Sequence, residues 1–128
     1  MRLEDEVQQL VQIEAAKHKV ILMRNNSGAL KDKTGRLVRY GLGNTSETSN
    51  AHLKSSDLIG ITEVVVTQDM VGKTVGIFTA IEVKREGWQY KGDEREVAQK
   101  NFIDWVKRRG GIAAFVESVD TFISLMKK

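Results

Sequence analysis

The sequence predicts an α/β protein with a central mixed sheet flanked by helices. Helix-type and strand-type hydrophobic patterns follow one another in the order α-β-β-β-β-α-β-α, which a sheet covered by helices on both sides satisfies. The longest strand pattern, at 75–84, is apolar on both faces until its end, as expected of a central strand. At 128 residues the chain has the length of one domain, so we expect a single domain over 1–128.

The first half of the chain predicts one helix and two short strands. Apolar residues recur at helical spacing over residues 3–17, which predicts an amphipathic helix. The apolar run at 20–23 predicts a strand, and the polar residues at 25–28 predict a turn after it. Residues 36–42 predict a second strand. Residues 43–56 are rich in Gly, Ser and Asn, which indicates a long loop.

Two further strands are predicted in the middle of the chain, at 58–66 and 75–84. The segment QDMVGK at 68–73 lies between them and indicates a tight connection. We therefore expect these two strands to pair as a hairpin, which would place the start of the first beside the end of the second.

The last third predicts a helix, a strand and a helix. Asp93 followed three residues later by Glu96 is a capping box, which predicts a helix running to about Arg109. Residues 112–116 predict a strand, and Ser118 is a typical N-cap for a last helix.

Composition narrows the class of protein. The chain contains no Cys, which excludes a disulfide framework and Cys-based zinc sites. Hydrophobic residues make up 41% and charged residues 29%, close to ordinary usage in soluble domains. No apolar run reaches the ~18 residues of a membrane span. The first residues are polar and acidic, unlike a signal peptide. We therefore expect a cytoplasmic protein without membrane contact, in a bacterium or a virus-infected host cell.

The positive charge is concentrated in one segment. The net charge is only +3, but residues 17–39 hold seven basic residues against the single acidic residue Asp32. Such a segment is a candidate phosphate-contacting surface, and the alternative is an ordinary solvated face. Its basic residues are Lys17, Lys19, Arg24, Lys31, Lys33, Arg36 and Arg39.

Acidic and basic side chains meet at the end of the apolar strand at 75–84. Side chains alternate along a strand, so Glu82 and Lys84 share one face. If the expected hairpin forms, Asp57 comes close to Glu82. Two carboxylates beside a lysine form an oxygen-rich site that suits Mg²⁺ and phosphoryl chemistry, with Lys84 neutralising transition-state charge. The alternative is an ordinary salt bridge at a strand end.

The order of these motifs resembles a known nuclease family. The pattern of Asp57 followed by IEVK is similar to the PD-(D/E)XK nuclease superfamily. More closely, an E-x-Q near the N-terminus, RNNSG, YGLG, SSDLIGI, IEVK and a later Gln resemble the virus-type replication-repair nuclease (VRR-NUC) family over about residues 4–118. The resemblance implies a restriction-endonuclease-like αβββαβ core. Ser56 stands where the superfamily has Pro, which affects turn geometry more than chemistry.

The resemblance also implies roles for individual residues. Asp57, Glu82 and the Val83 carbonyl would bind the metal ion, and Lys84 would be the catalytic lysine. Gln99 matches the helix glutamine of the family, and its helical projection also places it toward the buried side.

The family's first helix supplies one more metal-binding Glu. Glu6, in Glu6-Val7-Gln8, has the family's spacing and is the preferred candidate. Glu14 projects onto the apolar stripe but lies outside the motif, and Gln8 is a weaker candidate.

DNA-contacting residues are expected in the basic segment. Small polar turns can bind phosphates, and the alternative for each residue is a simple turn or surface position. Trp88 and Tyr90 would either stack on bases or cover the edge of the core. The candidates for DNA binding are Arg24, Asn25, Asn26, Ser27, Arg36 and Arg39.

Together these expectations describe a metal-dependent DNA endonuclease that uses Mg²⁺ or Mn²⁺. Small members of the resembled family imply branched DNA, such as four-way (Holliday) junctions, as the substrate. One small domain offers one active site, so symmetric cutting predicts a homodimer. The alternatives are a flap- or end-directed nuclease, a nickase, or a non-catalytic module that binds DNA junctions.

Overall fold

A computed structural model describes residues 3–52 and 54–127. Within these ranges the chain forms four α-helices and six strands, which confirms the α/β class. The chain divides into two compact units, the first ending at Thr62 and the second beginning at Glu63. The single domain expected over 1–128 stays a prediction.

The first unit contains two helices and four strands. Its first helix and first strand confirm the predictions made from the hydrophobic pattern. A strand and a short helix were not predicted, because the strand is only four residues long and follows a turn sequence, and the helix lies in the polar stretch at 43–56. The elements are α1 (Glu4–Ala16), β1 (Val20–Arg24), β2 (Gly28–Lys31), β3 (Leu37–Tyr40), α2 (Glu47–His52) and β4 (Leu58–Thr62).

Two antiparallel pairs organise this unit. β1 pairs with β4, so that Arg24 at the end of β1 lies opposite Leu58 at the start of β4. β2 and β3 form a separate hairpin, with Gly28 opposite Tyr40. The first pairing brings the turn after β1 next to Asp57, the residue that precedes β4.

The second unit is a strand-helix-strand arrangement followed by a helix. β5 and β6 pair in parallel, and α3 is the crossover between them. Val106 of α3 is fully buried, and Ile103, Ala113 and Val116 complete the core of this unit. The elements are a 3₁₀ turn (Gln68–Met70), β5 (Thr79–Val83), α3 (Glu94–Arg108), β6 (Ile112–Val116) and α4 (Val119–Met126).

The strand pairings correct one expectation. The hairpin expected from residues 58–66 and 75–84 is wrong, because β4 takes β1 as its partner and β5 takes β6. Residues 63–67 and 71–78 lie outside any strand, so neither strand leads directly into a tight turn as a hairpin requires. The described residues form three two-stranded sheets, so the central mixed sheet stays a prediction.

The long crossover explains why β5 pairs with β6. Parallel neighbours need a connection of a dozen or more residues, and α3 supplies it while covering the sheet with its apolar side.

No helix in the described part of the chain is long and apolar enough to cross a membrane.

Candidate active site

The start of α3 fixes the side chains that face β5. Asp93 Oδ1 accepts a hydrogen bond from the Glu96 backbone N–H at 2.8 Å, and Glu96 Oε1 accepts one from the Asp93 N–H at 3.2 Å. This capping box confirms the predicted helix start. Gln99 lies three residues after Glu96, which places both side chains on the same face of the helix.

Gln99 joins Lys84 to Glu82. The Lys84 ammonium donates to Gln99 Oε1 at 2.7 Å, and Gln99 Nε2 donates to Glu82 Oε1. All three side chains are half-buried. The amide oxygen of Gln99 therefore accepts from the cation, and its N–H donates to the carboxylate. The structure brings these three sequence-predicted residues together.

This arrangement differs from the salt bridge considered as the alternative. The ion pairs found within residues 3–52 and 54–127 do not include Lys84 with Glu82, because the Gln99 amide stands between them. A lysine ammonium has three hydrogens and a carboxylate has two oxygens, so one hydrogen bond leaves each group with further capacity. The pair can therefore still bind a ligand from outside the protein.

A cleft of about 420 Å³ lies beside this cluster, between β5 and α3. Its volume is within the roughly 300–1,000 Å³ of small-molecule pockets. Glu82 and Gln99 form a polar part of its wall, and most of the rest is apolar. The lining residues are Ala80, Ile81, Glu82, Arg95, Ala98, Gln99, Phe102 and Ile103.

Trp88 and Tyr90 pack against Phe115, beside the cluster. The Trp88 and Phe115 ring centroids are 4.8 Å apart, and those of Tyr90 and Phe115 are 5.9 Å apart. Trp88 Nε1 also donates to Glu96 Oε2 at 2.9 Å. These contacts agree with the interpretation that the two aromatic residues cover the edge of the core. Phe115 was missed from the sequence because only the register of β5 with β6 places it opposite Glu82.

Glu96 does more than cap the helix. Its side chain is buried, with 6% exposure, and accepts from the Lys91 and Asp93 backbone N–H groups as well as from Trp88. Burial raises the pKa of Glu96, but these hydrogen bonds outweigh burial and hold the pKa below its usual value. The capping pattern in the sequence predicts the helix start but not the hydrogen bond between Glu96 and Trp88.

Asn25 holds the chain segment that leads to Asp57. Its backbone N–H donates to the Asp57 carbonyl at 2.8 Å. Its side-chain amide donates to Ser55 Oγ at 2.9 Å and to the Ser56 carbonyl at 2.8 Å. Asp57 itself is exposed. The DNA contact proposed for Asn25 stays a prediction, but its amide hydrogens already bond within the protein.

The other candidates for DNA binding are arranged around the β2–β3 hairpin. Arg24, Asn26, Ser27 and Arg36 have exposed side chains. Arg39 is half-buried and donates to Asn44 Oδ1 at 3.3 Å. Their role in DNA binding stays a prediction.

Asn44 was missed from the sequence, where it lies in a loop rich in Gly, Ser and Asn. It is buried, with 5% exposure, and donates to the Gly28 carbonyl at 2.8 Å and to the Tyr40 carbonyl at 2.9 Å. Asn44 therefore closes the open end of the hairpin. The sequence around Asn44 does not indicate that its side chain is buried, because its hydrogen-bond partners are backbone carbonyls of other segments.

The two candidate carboxylates on α1 have different neighbours. Glu6 is exposed in the first turn of the helix. Glu14 contacts His18 at 3.0 Å and Lys17 at 3.3 Å. The hydrogen bond with His18, and to a smaller extent that with Lys17, holds the pKa of Glu14 below its usual value. Gln8 is half-buried. The partners of Glu14 belong to its own helix end and are exposed, so the choice between Glu6 and Glu14 as a metal ligand stays a prediction.

The predicted metal ligands belong to two units. Asp57 and Glu6 lie in the first unit, and Glu82 and Val83 lie in the second. Among residues 3–52 and 54–127, no group of three or more His, Asp or Glu side chains converges so that it could hold a metal ion. The complete ligand set therefore stays a prediction.

Comparisons with protein-family models, with curated proteins and with solved structures found no match to this chain.

Proposed function

We propose that this protein is a metal-dependent DNA endonuclease of the VRR-NUC type, with the restriction-endonuclease-like core of the PD-(D/E)XK superfamily. It hydrolyses phosphodiester bonds and is selective for branched DNA such as four-way junctions. The observation that carries the proposal is the Gln99 amide that joins Lys84 to Glu82 at the end of β5.

Lys84 has the chemistry that phosphodiester hydrolysis needs. The reaction builds negative charge on the phosphoryl oxygens in its transition state, and a fixed cation near them lowers the barrier. Gln99 accepts one ammonium hydrogen of Lys84, which orients the cation and leaves its other hydrogens for a phosphate. Half-burial excludes part of the water that would screen this charge.

Glu82 would hold the metal ion, together with the main-chain carbonyl of Val83. Both supply oxygen, and Mg²⁺ commonly binds through one or two carboxylates while water and substrate phosphates complete its shell. The Gln99 hydrogen bond occupies one Glu82 oxygen and leaves the other for the cation. Mg²⁺ or Mn²⁺ would supply charge stabilisation at the phosphoryl oxygens. Asp57 and Glu6 remain the ligands proposed from the sequence.

The basic segment supports DNA as the substrate. Exposed Arg24 and Arg36 can contact phosphates, and such contacts supply most of the affinity for DNA. A chain with one active site cuts one strand, so paired cuts across a junction would require a homodimer with two-fold symmetry.

Cleavage of labelled DNA tests the proposal. The purified protein is incubated with a four-way junction, a flap and a linear duplex in the presence of Mg²⁺ or Mn²⁺. We expect cutting of the junction, loss of cutting with EDTA, and inactive Lys84→Ala and Asp57→Asn variants that still bind DNA. Lys73→Ala is the matched control, because Lys73 is an exposed lysine outside the proposed site.

Each other outcome contradicts a stated part of the proposal. Cutting that survives Lys84→Ala overturns the site, and preferred cutting of the flap overturns the junction substrate. Salt-dependent binding without any cutting identifies a junction-binding module instead of an enzyme. Light scattering is run in parallel, and a monomer that makes paired symmetric cuts contradicts the dimer.

A further inference from the structure

Two aromatic rings surround the Lys84 ammonium. Lys84 Nζ lies 5.4 Å from the centroid of the Trp88 ring and 5.6 Å from that of Phe115. Both distances are within the ~6 Å at which a ring face attracts a cation. Phe115 reaches this position because it lies opposite Glu82 in the parallel register of β5 and β6.

The Trp88 ring is itself held in place. Its Nε1 donates to Glu96 Oε2 at 2.9 Å, and its ring packs on Phe115 with the edge of Tyr90 beside it. Glu96 is buried, and its other oxygen accepts from the backbone of the loop and of the helix cap. Moving the indole would leave a buried carboxylate oxygen without its partner, which is costly.

The Gln99 contact alone leaves part of the Lys84 side chain unrestrained. A lysine ammonium sits on a flexible four-carbon stem, and the hydrogen bond to Gln99 orients one of its three N–H groups. The two rings restrict the volume open to the ammonium and favour its charge through their electron-rich faces. A reaction is faster when the group that stabilises its transition state is already held in position.

We propose that Trp88 is a positioning residue for Lys84: its ring, with that of Phe115, confines the ammonium beside Gln99, and Glu96 fixes the ring. This inference rests on the proposed function, since a positioned ammonium affects rate only if Lys84 acts on the phosphoryl group. Trp88 touches no substrate in this role and acts through the lysine.

A spectroscopic measurement tests the confinement without any activity. In protein labelled with ¹³C-lysine, the rings should shift the Lys84 ε-methylene signal upfield of that of exposed Lys73. Lys84→Arg assigns the signal. We expect Trp88→Leu to reduce the shift, leaving the part that Phe115 contributes, and Trp88→Phe to keep most of it. An unchanged Lys84 signal in Trp88→Leu overturns the proposal.

Trp105→Leu is the matched control. Trp105 stacks on Phe102 with centroids 5.7 Å apart, and its own cation is Arg109, 4.4 Å from the ring centroid. It is a half-buried tryptophan in the same unit with a similar environment. Trp105→Leu should leave the Lys84 ε-methylene signal unchanged. An equal shift of that signal in Trp88→Leu and Trp105→Leu would indicate a general packing effect and overturn the proposal.

Single-turnover cleavage tests the consequence for chemistry. We expect Trp88→Leu to lower the rate at saturating protein roughly tenfold with DNA affinity unchanged, and Trp88→Phe to recover most of it. An unchanged rate in Trp88→Leu, or an equal loss in Trp88→Phe, overturns the positioning role. If the wild type does not cut DNA, the proposed nuclease function is overturned. The NMR signal of Lys84 then still decides whether Trp88 confines its ammonium.

Discussion

The Lys84 ammonium donates to the side-chain oxygen of Gln99 at 2.7 Å, which ties the end of β5 to the middle of α3. The same amide donates to Glu82, so removal of Gln99 releases both charged groups at once. The contact is local to the site, and Gln99 is only half-buried. Its loss should therefore affect cleavage far more than folding.

We expect Gln99→Ala to reduce the cleavage rate about 10–100-fold, because Lys84 and Glu82 lose their common orienting group. The free energy of unfolding should change by about 1 kcal/mol or less. Single-turnover cleavage and urea unfolding measure the two effects. Asn101→Ala, which removes an exposed amide from the same helix, is the control and should change neither. Full activity of Gln99→Ala would contradict the bridging role.

Asn25 should stabilise the segment that leads to Asp57. Asn25→Ala removes side-chain hydrogen bonds to Ser55 and Ser56, and we expect a loss of about 1–2 kcal/mol in the free energy of unfolding. Urea unfolding followed by circular dichroism measures it. Asn26→Ala alters the exposed neighbour and should be close to neutral. Equal stability of the two variants would show that the Asn25 amide contributes nothing.

Gly60 allows β1 and β4 to approach each other. A Cβ at this position would meet the Ile21 carbonyl, which is backbone and cannot move aside. Gly60→Ala should therefore cost about 2 kcal/mol or more of unfolding free energy. Gly76→Ala is the control, because nothing lies within 4 Å of its added Cβ. Thermal unfolding compares them, and similar melting temperatures would contradict the close approach.

Glu96 should make stability depend on acid pH. Its folded-state pKa lies below the ordinary value of 4.5, despite burial, because of hydrogen bonds from the Lys91 and Asp93 backbone and from Trp88. A lowered folded pKa stabilises the protein above the unfolded-state value and loses this contribution as pH falls through the folded-state pKa. The advantage of the wild type over Glu96→Gln should therefore shrink below about pH 4.5. Urea unfolding across pH measures this difference, and a constant difference would contradict the ionised role.

Short-range patterns predicted α1, β1, α3, β6 and α4. The capping box of Asp93 and Glu96 lies within four consecutive residues, so its hydrogen bonds depend only on the local chain. Ser118 likewise caps α4 by accepting from the Thr121 backbone N–H. The face of α3 that carries Gln99 also follows from helical periodicity. These features needed no knowledge of distant partners.

Partners distant in the chain could not be predicted in this way. The apolar patterns of β4 and β5 indicated strands but not which strand each would join, and the expected hairpin was wrong. Pairing depends on the whole set of strands and on how α3 covers its sheet. The contacts of Asn25 and Asn44 with backbone carbonyls depend on those pairings.

The sequence by itself determined the α/β class, the boundaries of α3 and the common face of Glu82 and Lys84, because each follows from a spacing of a few residues. Only the tertiary structure decided that Gln99 stands between them and that the Trp88 and Phe115 rings lie 5.4 and 5.6 Å from the Lys84 ammonium. These contacts join β5, α3 and β6, and their register is set by packing over the whole unit.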